Sequence, residues 1–264
     1  MTDPAVWAEF LVRMAGTALI VVMISWIAAR LGPAIGGVVV GLPIVLAPGF
    51  LFMLADQPAA FVSEAAGGAL FSLSATQVFL LVFVALSRGA GPFASVAGAA
   101  LAWGLLAWPL SLIPHDPLLG AALFAVVTLA ARRLGRPLVS RNMARAEGTN
   151  WTFLILRGLL AGVLVGVVTL GTSMLGAGVS GALIAFPIGF TVIAISLHLD
   201  HGGLFAGQTA YAGLAGMGSL AVFSLCLAVL LLHLPVALAF GLALTASVLA
   251  TVIMMLLARG PARP

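Results

Sequence analysis

Residues 35–55 read IGGVVVGLPIVLAPGFLFMLA, and residues 179–199 read VSGALIAFPIGFTVIAISLHL. Both stretches are predominantly apolar, and each has about the 20 residues that an α-helix needs to cross a bilayer. Each carries a proline near its centre, Pro43 in the first and Pro187 in the second. A proline there removes a backbone N–H and displaces the carbonyl four residues earlier, so both stretches predict an interrupted helix.

The composition of the whole chain predicts a membrane protein. Of its 264 residues, 63% are hydrophobic and 7% are charged, which is too little charge to cover a soluble fold of this size. All eleven basic residues are arginines, and most lie between apolar runs. The net charge of +4 therefore indicates membrane topology rather than nucleic-acid binding. The single cysteine, Cys226, excludes an internal disulfide framework.

Nine apolar stretches come near the length of a membrane span. They are residues 7–31, 35–55, 62–87, 92–113, 117–134, 150–175, 179–199, 204–232 and 235–258. When the N-terminus is placed outside, the external loops contain no arginine, because the arginines of the loops and the tail all fall on the cytoplasmic side. This bias predicts an all-α polytopic protein of the plasma (inner) membrane with an external N-terminus and a cytoplasmic C-terminus.

The chain also contains an internal repeat. A shift of 144 residues (151 − 7) aligns residues 7–86 with residues 151–230 without a gap. The matches include scarce residue types: Trp7 with Trp151, Arg13 with Arg157, Pro43 with Pro187, and Asp56 with Asp200. Because the shift spans five helices, an odd number, equivalent helices must run in opposite directions. We expect a first repeat of five helices at 1–134, a cytoplasmic Arg-rich linker at 135–149, and an inverted repeat of four helices at 150–264.

Inverted repeats with interrupted helices are typical of secondary transporters, whose substrate site lies near the bilayer midplane. Pro43 and Pro187, with the flanking Gly41 and Gly189, therefore predict a central substrate or ion site. The chain resembles the broken-helix transporters of the sodium/proton antiporter and bile-acid symporter type. That resemblance implies one discontinuous helix per repeat, crossing its partner at the midplane. It assigns no coupling ion, because this chain has no paired aspartates in mid-helix.

Four polar residues inside the predicted spans are further candidates for substrate or ion binding, since intramembrane polar groups are costly. They are Gln77, Arg157, Arg13 and Tyr211. A structural role is open for each of them. Arg13 and Arg157 lie six residues after an interfacial tryptophan, within reach of the headgroups by snorkelling. Gln77 and Tyr211 are placed to bond a neighbouring helix.

Four residues near the ends of spans are candidates for gating or proton coupling: Asp56, Asp200, Glu64 and His198. Helix capping and a solvated loop are the simpler roles for the carboxylates. The segment HLDH at 198–201 has the residue types of a zinc site, but spacings of two and three residues are not specific, and we predict no metal.

The sequence therefore predicts a secondary transporter that moves a small solute or ion by alternating access. A channel or accessory membrane subunit is the alternative, and a membrane-embedded enzyme is a weaker one, because no catalytic constellation is evident. We expect no cofactor and no nucleic-acid partner. The expected partners are the lipid bilayer and the small-molecule or ion substrate, with homodimerisation left open.

The predicted topology can be tested by the accessibility of tags at the two ends of the chain. An N-terminal tag should be modified by an impermeant reagent added outside intact cells, and a C-terminal tag only after permeabilisation. Equal accessibility of both tags would contradict an odd number of spans.

Overall fold

The computed structural model of the protein describes residues 4–30, 42–139 and 151–258. These ranges form α-helices and one short 3-10 helix, Arg136–Leu138, and contain no strand. The helices are α1 Pro4–Arg30, α2 Leu46–Asp56, α3 Ala59–Leu86, α4 Pro92–Leu110, α5 Pro117–Gly135, α6 Trp151–Leu170, α7 Thr172–Ile184, α8 Ile188–His201, α9 Gly203–Gly216, α10 Gly218–Leu230 and α11 Val236–Ala258. The predicted all-helical class is confirmed for this part of the chain.

Seven helical segments among the described residues are long and apolar enough to cross a membrane, as expected of a polytopic membrane protein. Two shorter apolar helical stretches correspond to the first two predicted spans: Phe10–Met23, which is part of α1, and Leu46–Asp56, which is α2. Residues 35–41 of the second predicted span and residues 140–149 of the predicted linker lie outside the described ranges. The count of nine spans stays a prediction.

Helix α3 lies at the centre of the bundle. It packs against α4, α5, α7, α9 and α10, and 72% of the residues in its most apolar stretch are buried. Only 22% of the residues are buried in the corresponding stretches of α4, α5 and α11. Large apolar side chains on these outer helices remain exposed, among them Leu105 and Trp108. Such a surface suits hydrocarbon, because lipid tails are as apolar as leucine.

Prolines and a carboxylate mark where the outer helices begin. Pro92 opens α4 and Pro117 opens α5, and proline suits the first turn because an N–H there has no partner within the helix. Asp116 caps α5 by accepting a hydrogen bond of 2.7 Å from the Leu119 backbone N–H. Asp116 thus stabilises a helix start.

Helices α1 and α6 pack closely through a ladder of glycines. A Cβ atom at Gly162 would overlap the Met14 carbonyl oxygen, and one at Gly158 would lie 2.8 Å from the Ala18 carbonyl oxygen. One turn further on, Gly166 lies against the Phe10 ring. The contacts in α1 move backwards along the chain as those in α6 move forwards, so the two helices are antiparallel. Small residues allow this approach, as a GxxxG pattern predicts.

The start of α7 depends on a backbone conformation that favours glycine. Gly176 has φ +73°, which breaks the regular helix between the first turn of α7 and its remainder. The remainder packs on α3, where Gly181 lies against the Ala65 carbonyl oxygen, and Gly178 lies against the ring of His115, which precedes α5. The half-helix before Pro187 is thereby held against the central helix.

The structure divides one predicted span into two helices. The sequence predicts a single helix at 204–232, whereas α9 ends at Gly216 and α10 begins at Gly218. Met217 lies between them, and its N–H still bonds the Gly213 carbonyl oxygen at 3.2 Å. The flanking glycines favour this local irregularity, since glycine lowers helix stability.

Replacing Gly181 with alanine should destabilise the protein by about 1–3 kcal/mol, because the added methyl group would overlap the Ala65 carbonyl oxygen. Thermal unfolding in detergent would measure the change. The matched control is Gly104→Ala in α4, where an added Cβ meets no atom within 4 Å. Equal melting temperatures for the two variants would contradict the close α3–α7 contact.

Candidate functional site

The span that contains Pro187 is interrupted in the structure. Helix α7 ends at Ile184 and α8 begins at Ile188. Proline has no N–H to donate, and its ring excludes the usual bond to the carbonyl four residues earlier, here that of Leu183. That carbonyl instead accepts the Phe186 N–H at 3.0 Å, and the Ile188 N–H bonds the Phe186 carbonyl at 2.7 Å. The chain therefore makes a tight turn at residues 185–187.

Side chains of α3 satisfy two backbone carbonyls beside this turn. The Ser72 hydroxyl donates to the Ala182 carbonyl at 2.8 Å, and the Thr76 hydroxyl donates to the Ala185 carbonyl at 3.4 Å. Both hydroxyl-bearing residues are almost fully buried. An interrupted helix is tolerated at membrane depth only when protein or water replaces the lost bonds, and α3 supplies part of that replacement.

The turn at Pro43 has the same local bonding as the turn at Pro187. The Ile44 N–H bonds the Leu42 carbonyl at 2.8 Å, and the Ala47 N–H bonds the Pro43 carbonyl at 2.7 Å. The bond from Ile188 to Phe186 and the bond from Thr191 to Pro187 occupy the positions 144 residues later. The chain leaves this turn into α2. Gly41, the other candidate here, lies outside the described residues.

A cavity of about 50 Å³ lies between the two proline turns and the central helices. This volume has room for roughly three or four water molecules. Its walls are formed by Leu42, Ile44, Val45, Leu46, Leu73, Thr76, Arg157, Ala185, Phe186, Pro187, Gly189, Phe190, Met217 and Leu220. The structure thus brings the predicted candidates Pro187, Gly189 and Arg157 together, with the neighbours of Pro43 on the opposite wall.

Arg157 is the charged member of this lining. Its side chain extends from α6 and only 6% of the residue is exposed. A Cβ atom placed on Gly189 would lie 3.2 Å from both Nε and Nη2 of Arg157. The guanidinium group therefore rests on the first turn of α8, where the missing side chain of Gly189 makes room for it.

Arg13 has a different environment, although the repeat makes it equivalent to Arg157. Its Nη2 forms an ion pair of 2.5 Å with Asp56 Oδ2, and its guanidinium lies 5.9 Å from the centroid of the Phe52 ring. A matching ion pair between Arg157 and Asp200 is excluded, because Gly189 and Asp200 are about 16 Å apart along α8. The two halves therefore differ in how they hold their buried arginine.

Gln77 and Tyr211 join helices and do not line the cavity. Gln77 Nε2 donates to Thr128 Oγ1 at 2.8 Å, which links α3 to α5. The Tyr211 hydroxyl donates to the Arg132 carbonyl at 2.9 Å, and its ring lies against Gly135 at the end of α5. Both contacts match the structural role that intramembrane polar groups commonly have.

The gating candidates lie at the ends of helices. Glu64 Oε1 is 3.8 Å from His115 Nδ1, and the His115 ring also contacts Phe71. Asp200 accepts a hydrogen bond of 3.4 Å from the hydroxyl group of Ser196, which lies in the same helix. His198 meets the Phe83 ring edge to face. Among the described residues, no three histidine, cysteine, aspartate or glutamate side chains come together in a group that could hold a metal ion.

Sequence reasoning did not select several residues of the cavity wall. Thr76, Leu73, Met217 and Leu220 lie away from the prolines in sequence, and three of them are ordinary apolar residues. The repeat carried a usable signal, however, because the shift of 144 residues pairs Leu73 with Met217 and Thr76 with Leu220.

No known protein family, curated protein or solved structure matches this chain.

Replacing Asp56 with asparagine should destabilise the protein by roughly 1–3 kcal/mol, because a largely buried guanidinium group loses its counter-charge. Thermal unfolding of the purified protein would measure this loss. The second substitution Arg13→Gln in the same chain should recover part of the stability, since no unpaired charge then remains.

The matched control for this experiment is Asp200→Asn at the equivalent position of the other half. Its carboxylate is exposed and accepts a hydrogen bond from Ser196 of the same helix, so the melting temperature should change little. A larger loss for Asp200→Asn than for Asp56→Asn would contradict the importance of the Arg13–Asp56 ion pair.

Proposed function

We propose that this protein is a secondary transporter of a small solute or ion, and that the cavity between the two proline turns is its substrate site. The observation that carries the proposal is the cavity itself, which is lined by Pro187 and by neighbours of Pro43, the proline that the sequence repeat pairs with it. Inverted halves that share one central site can exchange roles and open that site to either side in turn.

The packing of α1 on α6 supports the inverted repeat. Gly158 meets Ala18, and Gly162 meets Met14. The shift of 144 residues converts the first of these contacts into the second, because Ala18 is equivalent to Gly162 and Met14 to Gly158. The repeat therefore relates one contact of the α1–α6 interface to another contact of the same interface. A two-fold axis through the interface produces this pattern.

The cavity wall has the same internal symmetry. Five pairs of lining residues are related by the shift of 144 residues, and they make up ten of the fourteen. The pairs are Leu42 with Phe186, Val45 with Gly189, Leu46 with Phe190, Leu73 with Met217, and Thr76 with Leu220. We propose that the cavity lies on the axis between the halves, at the place where inverted-repeat transporters bind their substrates.

The full proposal has nine spans, an external N-terminus and a cytoplasmic C-terminus in the plasma (inner) membrane. Each half contributes one discontinuous helix, interrupted at Pro43 or Pro187. Glycines and prolines at these turns permit the small changes in backbone angle that opening and closing require. An ion gradient or the solute gradient would supply the energy.

Alternating access can be tested with a cysteine at Thr76 in a chain that carries Cys226→Ala. Thr76 lines the cavity and is 1% exposed, so a small impermeant thiol reagent reaches position 76 only when the cavity opens. In vesicles of known orientation, labelling of Thr76→Cys is expected from both sides, at rates that a transported solute changes.

The matched control is Ser224→Cys, because Ser224 is also fully buried but lies in α10 outside the cavity lining. It should stay unlabelled from both sides. Labelling of Thr76→Cys from one side only, or from neither side, in folded and reconstituted protein would contradict alternating access at this cavity.

A further inference from the structure

We propose that His115 and Glu64 form a proton-binding site, and that proton uptake there strengthens the packing of α7 on α3. Neither residue lines the cavity, so the site is distinct from the proposed substrate site and does not require that the protein be a transporter. Three features carry the proposal: the position of the His115 ring between two helices, the surroundings of its two nitrogens, and the charged groups near it.

The His115 ring fills a notch between α3 and α7. Only 5% of its side chain is exposed. A Cβ atom at Gly178 of α7 would overlap the ring carbon Cε1, and one at Gly68 of α3 would lie 3.3 Å from Cδ2. The ring also meets Phe71 of α3 edge to face, with centroids 5.7 Å apart. Because the ring contacts both helices, whatever fixes the ring also acts on the contact between them.

The two ring nitrogens have different surroundings. Nδ1 lies 3.8 Å from Glu64 Oε1, which is longer than a hydrogen bond. Nε2 is buried, and no described group forms a hydrogen bond with it. A carboxylate only accepts, so a bond between Glu64 and the ring requires a proton on Nδ1. The geometry therefore assigns the added proton to Nδ1, where it converts a loose contact into a charge-assisted hydrogen bond.

Glu64 is placed to reach that proton. Its side chain is 60% exposed, so a change of rotamer can close the remaining distance without displacing a neighbour. The same exposure gives protons from water a route to the buried imidazole. Histidine is the side chain whose charge changes between about pH 5 and pH 8, so the pair is suited to respond to pH in this range.

Few other charged groups face the ring. Glu64 is the one titratable residue of α3, and α7 contains none. Asp116 follows His115 in the chain, but its carboxylate accepts the hydrogen bond that caps α5. The arginines of α5 lie in its last turn, at the opposite end of that helix. His233, in the loop after α10, is exposed. Glu64 is therefore the carboxylate that pairs with a charged His115.

Proton uptake acts on the half-helix before the Pro187 turn. Gly178 contacts the ring directly and lies nine residues (187 − 178) before Pro187. When Glu64 holds the charged ring in the notch, the contact of α7 with α3 is held as well. In the topology that the sequence predicts, this end of the bundle faces the outside, so the site responds to external pH.

The site can be tested by thermal unfolding of the purified, full-length protein in detergent at about pH 5.5 and about pH 8. A histidine is largely charged at the lower pH and neutral at the higher, whereas a glutamate is largely ionised at both. The loss of melting temperature in Glu64→Gln should be larger by about 1–3 °C at the lower pH. Stabilisation by Glu64 is thus present at low pH and is lost as the pH rises through the range in which histidine titrates.

Two further variants locate the effect. In a chain that carries His115→Gln, Glu64→Gln should cost the same at both pH values, because the titrating partner is absent. The matched control is His233→Gln, which removes an exposed histidine and should leave the pH dependence intact. If His115→Gln does not fold, Gly178→Ala replaces it. Its methyl group displaces the ring from Glu64, so the pH dependence should become smaller.

Hydrogen exchange tests the effect on α7. After correction for the intrinsic pH dependence of amide exchange, the amides of α7 should exchange more slowly at the lower pH in the wild type, and this slowing should be absent in Glu64→Gln. Four results would overturn the proposal: an equal or smaller loss for Glu64→Gln at the lower pH, a pH dependence that persists without His115, one that disappears in His233→Gln, or the same exchange of α7 in the wild type and Glu64→Gln.

Discussion

The structure depends on the requirement that every backbone polar group at membrane depth finds a partner. At Pro187 the helix cannot meet this requirement by its own bonds, because one helix ends and another begins there inside one apolar span. The carbonyl groups near that turn accept bonds from Ser72 and Thr76 of α3. The central helix must therefore be buried, carry hydroxyl groups at the correct depth, and have small residues that let α7 approach. All of these properties are found in α3. A small cavity remains beside the turn.

The two proline turns are alike in part, whereas the two buried arginines differ. Two hydrogen bonds at Pro43 recur 144 residues later at Pro187, and five pairs of positions related by that shift line the cavity. The buried arginines differ, because Arg13 is paired with Asp56 at the end of α2 whereas Arg157 lies on Gly189 in the cavity wall. The cavity is therefore lined by one of these two arginines and not by the other.

Some parts of the site could be predicted from the sequence, because they depend on a local feature of the chain or on its internal repeat. Proline acts on its own backbone, so the turn at Pro187 follows from covalent geometry. The glycine ladder of α6 has the GxxxG spacing that permits close packing, and α1 lies against it. Gln77 and Tyr211 were chosen because they are polar and intramembrane, but polarity does not reveal which neighbour a side chain meets. Both bond to α5 instead of facing the cavity.

The sequence by itself determined that the chain is helical and apolar enough for a membrane, and that a helix ends just before Pro187. The correspondence of its two halves stays a prediction. These properties depend on composition, on covalent geometry and on comparison of the chain with itself. Only the tertiary structure decided which arginine lines the cavity, because Arg13 and Arg157 are equivalent in sequence. Their environments differ through the packing of distant segments, in which Asp56 reaches one guanidinium and the bare backbone of Gly189 accommodates the other.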